Sequence, residues 1–462
     1  MRFGSIYYIL YLFIYNDLMQ PFYNTLAMPI EIICSGFSFP YILQYLAISL
    51  IFLTVGIFAY IKLRYPFWNS QPVYHIYDFW RSFYTTPFII RRGYPLVSKF
   101  CDFDHIKTFD YVDLTGGQIA AFIDLVQCHW SGGGENKSSE NPGYEEETGL
   151  LYAFTAGNFD AYMSGHIYPS FVSFYLEPQV RRIKSGSSST ISDEWKVPYA
   201  CMTSRSIIVQ SGDRSYNAYY WDFLTCNRNR KRDPSIMRRL IQTHTYRTMM
   251  RMPEIPIAFF RKNGIEYSAS TGIVSVVEFP QRLYMTKGMG VTLVAPQLPK
   301  YFIVVDVTRT NLSDFFQFLD ETAFYAFTAV TNIGNISEMV LRGVIYIYLL
   351  TSRGKIFAAY IFRDSRICFE ENGGPILELV ASICGKDTPL EVFYGGFLHA
   401  RYMVFTRYPA FYWLSIDGVG SNVDIMRLLE GSMQVKLETI CGYYFYNFFC
   451  PKIEPSRAFV LL

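Results

Sequence analysis

Apolar positions are most concentrated near the start of the chain. Residues 32 to 61 carry no Asp, Glu, Lys or Arg, and YILQYLAISLIFLTVGIFAYI (Tyr41 to Ile61) is apolar almost throughout. About 20 such residues span a bilayer core as a helix, so this run predicts a transmembrane helix. Lys62 and Arg64 follow it at once, while Asp17 and Glu31 precede it. Positive residues favour the cytoplasmic side, which predicts a single pass with the large C-terminal part in the cytosol. The run is too long and too far along for a cleaved leader, and it lacks a small-residue cleavage site. A shorter apolar run, SIYYILYLFIY (Ser5 to Tyr15), is a candidate partial membrane contact within an N-terminal extension, residues 1–40.

From Tyr65 the pattern becomes mixed. YACMTSRSIIVQ, GIVSVVEF, KYFIVVDVT, GVIYIYLLTS and KIFAAYIF are β-branched and aromatic runs separated by turn residues, and predict strands. DPSIMRRLIQTHTYRTMMRM has helical spacing, with Ile236, Leu240, Ile241 and Met249 on one face. SNVDIMRLLEGSM predicts a shorter helix capped by Ser421 or Asn422. Two Gly/Ser/Asn-rich stretches, Ser131 to Glu147 and Lys184 to Thr190, predict exposed loops. Strands mixed with helices in both halves argue for an α/β or α+β fold.

Composition adds limits. The chain has 462 residues, 51% hydrophobic and 17% charged, enough to bury a large core. Aromatics reach 18%, which fits either aromatic-heavy packing or apolar tunnels. A net charge of +2 points to no partner class. The nine cysteines form no CxxC pair, and the six histidines form no HExxH cluster. That argues against a metal site and for a reducing compartment.

The stretch NAYYWDFLTCNRNRKRDPSIMRRLIQTH (Asn217 to His244) concentrates chemistry. A strand runs through a basic turn into a helix, whose first N–H groups and dipole favour an anion. Arg228, Arg230, Lys231, Arg232, Arg238 and Arg239 surround that point. A phosphate-bearing ligand fits, and so does a solvated basic face near lipid headgroups. No nucleic-acid module accompanies the run.

A strand, a basic loop and a helix is also the pyrophosphate-binding signature of GNAT-type acyltransferases. More specifically, three segments resemble N-myristoyltransferase. YPFWNSQPV (Tyr65 to Val73) is similar to that family's Tyr-x-Phe-Trp-x-Thr-Gln-Pro-Val segment. DFLTCNRNRKRDPSIMRRLI resembles its Asn-Phe-Leu-Cys-Val strand and following basic loop. The tail YYFYNFFCPKIEPSRAFVLL resembles its Tyr-Tyr-Leu-Tyr-Asn-Trp ending. The segments occur in the family's order and cover residues 65 to 462. LIQTH after the loop also resembles membrane-anchored relatives encoded by large DNA viruses.

The resemblance implies two GNAT-like halves of mixed sheet flanked by helices, residues 65–285 binding acyl-CoA and residues 286–462 adding the peptide site. Residues 41–61 precede them as the membrane helix. It further implies transfer of a myristoyl or other long acyl group from acyl-CoA to the N-terminal glycine amine of proteins, with myristoyl-CoA as co-substrate and no tightly bound cofactor. The backbone amides of Phe223 and Leu224 would hold the thioester oxygen, a role that needs fixed N–H donors rather than particular side chains. Phe67 and Trp68 would line the CoA site, and Thr225 and Cys226 would pair with the pantetheine arm. Cys226 is the tempting nucleophile, but it sits on a strand with no histidine nearby in sequence.

The phosphate loop departs from the family. It is one residue longer, and small residues give way to RKRDPS. Arg230, Lys231, Arg232 and Ser235 are the phosphate candidates. Asp233 is wrong in sign for phosphate but suits an N-cap, with Pro234 at the first helical position. On the peptide side Tyr168 or His166, from SGHIYPSFVSFYLEP, and Asp417, from LSIDGVGSN, are the matched residues. Core packing accounts for them equally well.

The resemblance implies that the tail supplies the base. An α-amino group, with a pKa of about 7.7–8.0, is mostly protonated in the cytosol. The family removes that proton with its own C-terminal carboxylate, and the carry-over falls on Leu462. Burial among Tyr443, Tyr444, Phe445, Tyr446 and Phe459 is expected to make that group more basic. The alternative is a last strand docked for stability. Two other functions stay open: a membrane-tethered binding or structural protein that has lost turnover, and a GNAT enzyme for a shorter acyl-CoA.

Overall fold

The computed structural model describes residues 39–130, 150–185, 189–227, 234–263, 266–286, 297–321, 324–369 and 374–462. These divide into two units, up to Pro66 and from Phe67 to Leu462.

In the first unit, helix α1 (Phe39–Arg64) has no acidic residue in its first turn and Lys62 and Arg64 in its last. It extends slightly past the predicted span at each end. Its stretch Leu46–Arg64 has a mean hydropathy of 2.2, with apolar side chains exposed along its length. That is long and apolar enough to cross a bilayer.

The second unit is a mixed sheet flanked by helices. Its first part comprises β1 (Phe88–Ile89), β2 (Ile106–Asp110), α2 (Gly116–His129), β3 (Leu150–Tyr152), α3 (Ala156–Met163), β4 (Phe171–Ser185), β5 (Ser189–Ser211), β6 (Arg214–Cys226), α4 (Pro234–Arg251), β7 (Ala258–Asn263), α5 (Glu266–Thr271) and β8 (Val277–Met285). The second comprises β9 (Phe302–Asp306), α6 (Leu312–Glu321), β10 (Phe327–Thr331), α7 (Ile333–Leu341), β11 (Ile345–Ser352), β12 (Lys355–Phe369), β13 (Pro375–Cys384), α8 (Leu390–Arg407), β14 (Trp413–Asp417), α9 (Asn422–Leu429), β15 (Val435–Tyr446), β16 (Phe448–Phe449) and β17 (Ala458–Leu461).

One topology occurs twice. Strands β4, β5 and β6 form an antiparallel meander, α4 crosses over, and β7 returns parallel to β6. Likewise β11, β12 and β13 form a meander, α8 crosses over, and β14 returns parallel to β13. Strand β15 pairs with both β7 and β8, and β14 pairs with β8, so the two meanders belong to one continuous sheet.

Local chemistry explains the elements. Thr115 and Gln118 form a capping box at the start of α2, as Thr155 and Asn158 do for α3. In α4, Ile236, Leu240 and Ile241 are buried and Met249 packs on the same core, as its spacing predicts. Ser421 is the N-cap of α9, but its side chain turns away, accepting from the Cys384 amide at 3.2 Å and meeting the Tyr325 hydroxyl at 2.9 Å. At the flanks of the predicted loop Lys184 to Thr190, Lys184 pairs with Thr190 and Ser185 with Ser189; residues 186–188 lie outside the described residues. The strand expected over GIVSVVEF starts later, at Val277, and runs on to Met285. Residues 1–38 and the loop Ser131 to Glu147 lie outside the described residues.

The tail strand β17 pairs parallel with β10, which pairs with β5. Residues Ala458 to Leu462 are all buried. By hydrogen bonding β17 stands at one end of the strand order, yet Leu462 touches Arg363 of β12, far along that order. The sheet therefore curls until its two arms meet over the last residue.

Candidate active site

The three separated segments singled out in the sequence share one core. Phe67 and Ile236 are buried there with Tyr219, Trp221, Tyr444 and Tyr446, while Trp68, Tyr168, Leu224 and Cys226 pack against it. Phe67 meets Trp68 and Phe100 edge-on, at ring separations of 4.8 and 5.0 Å. Gln71 and Tyr446 join the first segment to the last: the Tyr446 hydroxyl donates to Gln71 Oε1 at 2.8 Å.

Strand β6 breaks its register at Phe223 and Leu224. Cys201 faces Thr225 and Thr203 faces Asp222, so two residues on β6 oppose Met202 alone. This is a β-bulge, which withdraws backbone groups from the ladder and re-aims them. Phe223 has φ of 49°, a left-handed backbone rare for a bulky residue. Its ring holds that geometry, buried against Phe122, Trp130, Phe154 and Tyr162. The Phe223 amide donates to Asp222 Oδ1 at 2.9 Å.

Beside the bulge lies a cluster of charges drawn from separate strands. Arg261 of β7 grips Asp417 of β14 through both terminal nitrogens, at 2.7 and 3.1 Å, and Gln281 donates to the same carboxylate at 3.0 Å. Arg363 of β12 pairs with Glu378 of β13 at 2.7 Å and donates to the terminal oxygen of Leu462 at 3.0 Å. Arg205 of β5 is almost wholly buried, packed over the rings of Tyr162 and Tyr220, with Nη2 3.9 Å from Asp222. Burial pushes the Asp222 carboxyl above its usual range, with Arg205 the largest opposing charge. Burial does the same to Asp417, opposed first by Arg261. For Arg363 burial disfavours the charge most, but Glu378, with Tyr162 beside it, more than offsets that and the guanidinium stays protonated. Arg205, Arg261 and Arg363 thus face the carboxyl groups of Asp222, Asp417 and Glu378, with the Leu462 oxygen on Arg363.

The remaining sequence candidates fall around this centre. Thr225 is buried on β6, and the Cys226 thiol lies 3.9 Å from Asn227 O. Ser235, in the first turn of α4, accepts from Arg239 at 2.8 Å, and Arg239 also reaches Asp102 at 3.4 Å. Arg230, Lys231 and Arg232 lie outside the described residues. The Tyr168 hydroxyl accepts from Asn217 at 3.2 Å. His166 reaches the Tyr162 carbonyl oxygen at 2.9 Å, and burial, with the Arg205 charge next, pulls its pKa down to about 4. Asp417 belongs to the charge cluster through Arg261. Among the described residues no group of His, Cys, Asp and Glu is arranged to hold a metal ion.

Reading the sequence alone missed Arg205, Asp222, Arg261, Arg363 and Glu378. The available signal was a charge inside an apolar strand: SRSII, YWDFL, FFRKN, YIFRD and ILELV. Such residues are rarely buried unless paired, so five together imply partners across the sheet.

No family model matches the chain, and no curated protein matches it in sequence. Its two meander–helix–strand units in one curled sheet make an acyltransferase fold. It is the fold of N-myristoyltransferase. A structure of the Saccharomyces cerevisiae enzyme with bound myristoyl-CoA aligns over 84% of this chain and 94% of its own, with a TM-score of 0.61 at 11% identity. A second, also with myristoyl-CoA, covers 85% and 90% at the same score and identity. A third, with myristoyl-CoA and inhibitors, covers 85% and 92% with a TM-score of 0.60.

Proposed function

We propose that the chain is a membrane-anchored member of the N-myristoyltransferase family. It would transfer a myristoyl or similarly long acyl group from acyl-CoA to an N-terminal glycine amine. The observation that carries this reading is the buried terminal carboxylate of Leu462, held by Arg363 in the charge cluster beside the Phe223 bulge. A carboxylate at Leu462, beside Asp222, Glu378 and Asp417, suits an incoming ammonium. The Leu462 carboxylate takes the ammonium proton, and the freed amine attacks the thioester carbonyl carbon. The carbonyl oxygen becomes an oxyanion facing the amides of Phe223 and Leu224. Collapse breaks the C–S bond, and the second amine proton passes to the departing CoA sulfur, leaving a neutral amide, the CoA thiol and no acyl-enzyme.

Phe67, Trp68, Thr225 and Cys226 would flank the CoA arm in this scheme. Arg230, Lys231, Arg232 and Ser235 would serve its phosphates, and Tyr168 and Asp417 the peptide side. The repeated topology supports division into halves 65–285 and 286–462. Helix α1 would hold the protein as a single pass, with the transfer site on the cytosolic side that Lys62 and Arg64 favour.

A second reading has its own observation. Asp222 Oδ1 already occupies the Phe223 amide, as it would in a fold-retaining binding protein without turnover. Two measurements on the full chain in detergent separate them. The enzyme reading requires binding of a non-hydrolysable myristoyl-CoA analogue, and glycine-peptide acylation that is lost when residues are appended after Leu462. Binding without acylation favours the second reading. Acylation that survives the appended residues overturns the carboxylate's role.

A further inference from the structure

Directly after the chain leaves α1 and enters the second unit, large apolar side chains face water. A short 3₁₀ turn spans Phe79–Phe83. With three residues per turn, positions 80 and 83 lie one above the other. Trp80 and Phe83 are each 70% exposed, and Phe79 and Tyr84 beside them are also exposed. The rings form one surface, Phe79 4.3 Å and Phe83 6.4 Å from Trp80. The turn is held from beneath: Arg81 donates to Val73 O at 3.2 Å and pairs with Asp78 at 3.4 Å. The outward rings are thus fixed by a buried-side anchor. Further along, Tyr94, Leu96 and Val97 are exposed, as are Arg91, Arg92 and Lys99. From Ile76 to Phe100 the only acidic residue is Asp78, which Arg81 neutralises.

Exposed apolar patches of this kind mark interaction surfaces. Trp and Tyr beside arginine and lysine is the composition of a bilayer interface, where amphipathic rings lie at headgroup level and cations meet anionic lipid. The chain itself names the partner. Fourteen residues separate Arg64, the end of the lipid-length helix, from Phe79. Even fully extended, that linker reaches about 50 Å, so the patch is tethered close to any membrane α1 crosses. Tethering turns a weak surface contact into an intramolecular one.

We propose that Phe79, Trp80, Phe83 and Tyr84 insert into the headgroup layer of the bilayer that α1 crosses, with Arg91, Arg92 and Lys99 against anionic phosphates. The inference concerns membrane contact and stands whether or not the chain transfers an acyl group.

All six tryptophans lie after residue 64, so α1 contributes no tryptophan signal. The full chain is reconstituted in phosphatidylcholine–phosphatidylserine vesicles containing lipids brominated near the top of the acyl chain. Part of the tryptophan emission is expected to be quenched, and the Trp80→Phe variant to lose that part. Replacing Arg91, Arg92 and Lys99 by Gln is expected to reduce quenching in these vesicles and to leave it unchanged in phosphatidylcholine alone. Equal quenching with and without Trp80, or none in the wild type, overturns the proposal. So does a dimer in detergent that depends on Trp80, which assigns the patch to a second copy. Trp80 emission already blue-shifted in detergent and unchanged by lipid overturns it too, assigning the cover to residues of the chain itself.

Discussion

Arg363 and Leu462 are 99 residues apart and meet at 3.0 Å, the guanidinium donating to the last oxygen of the chain. The same guanidinium pairs with Glu378 at 2.7 Å, so it cannot turn away without abandoning a second partner. Arg363 thereby fixes where the terminal carboxylate points, and acts on the proposed reaction through Leu462. The Arg363→Gln variant is expected to lower the single-turnover acylation rate by about 10²-fold, the scale of a displacement of about 1 Å. Binding of the acyl-CoA analogue should stay unchanged. Arg363→Lys, which keeps the charge but not the fork, should recover part of the rate. An equal loss of rate and analogue binding would assign Arg363 to packing instead.

The bulge makes a separate claim. Asp222 accepts the Phe223 amide and is the nearest counter-charge to the buried Arg205. Breaking one side of such a pair leaves a buried charge uncompensated, which costs more than the pair contributes. Asp222→Asn and Arg205→Met should each destabilise the fold, and the double variant by less than their sum. The expected coupling is about 1–3 kcal/mol, read by urea unfolding of the detergent-solubilised chain. Strict additivity would mean that the 3.9 Å approach carries no energy.

Much of this molecule was legible beforehand, for local reasons. Helix α4 announces itself through Ile236, Leu240 and Ile241, and the greasy end from Phe459 to Leu462 through burial alone. Neither depends on knowing a distant neighbour. The bulge was not legible, because Phe223 and Leu224 oppose Met202 only once the register of β5 and β6 is known. The charge cluster was hidden for the same reason. Arg261 and Asp417 are 156 residues apart, and only the sheet brings their strands together.

Two histidines set an acid limit on stability. His244 is fully buried, its Nδ1 2.7 Å from Ser173 Oγ, and burial lowers its pKa to about 3. His166 is lowered to about 4. Both values lie below the ordinary 6.5, so between them the unfolded chain binds more protons than the folded one. Stability is complete above pH 6.5 and falls as pH drops, toward about 4 for His166 and about 3 for His244, by up to about 1.4 kcal/mol per pH unit for each group. Melting temperatures across this window should show that slope, and His244→Gln should flatten it. A slope unchanged in that variant would place the acid sensitivity elsewhere.

The last prediction concerns how the tail holds the first segment. Asn447 follows Tyr446 with φ of 59°, and its amide donates to Pro72 O at 2.7 Å. Its side chain accepts from the Arg91 amide at 2.8 Å and donates to Arg91 O at 3.0 Å and Pro256 O at 3.1 Å. One residue thus clamps three stretches of backbone, one of them five residues beyond Phe67. Asn447→Ala loses the side-chain bonds and sets a Cβ in a left-handed backbone; Asn447→Gly loses the bonds alone. Ala is therefore expected to be the less stable by about 1 kcal/mol, and both to fall below wild type by about 2–3 kcal/mol. Both variants keep the backbone N–H that bonds Pro72 O, so binding of the acyl-CoA analogue beside Phe67 and Trp68 should stay unchanged in the folded protein. Gly no more stable than Ala would show that the backbone relaxes out of this conformation. Weakened analogue binding in both would show that the side-chain bonds to Arg91 and Pro256 also position the Phe67 segment.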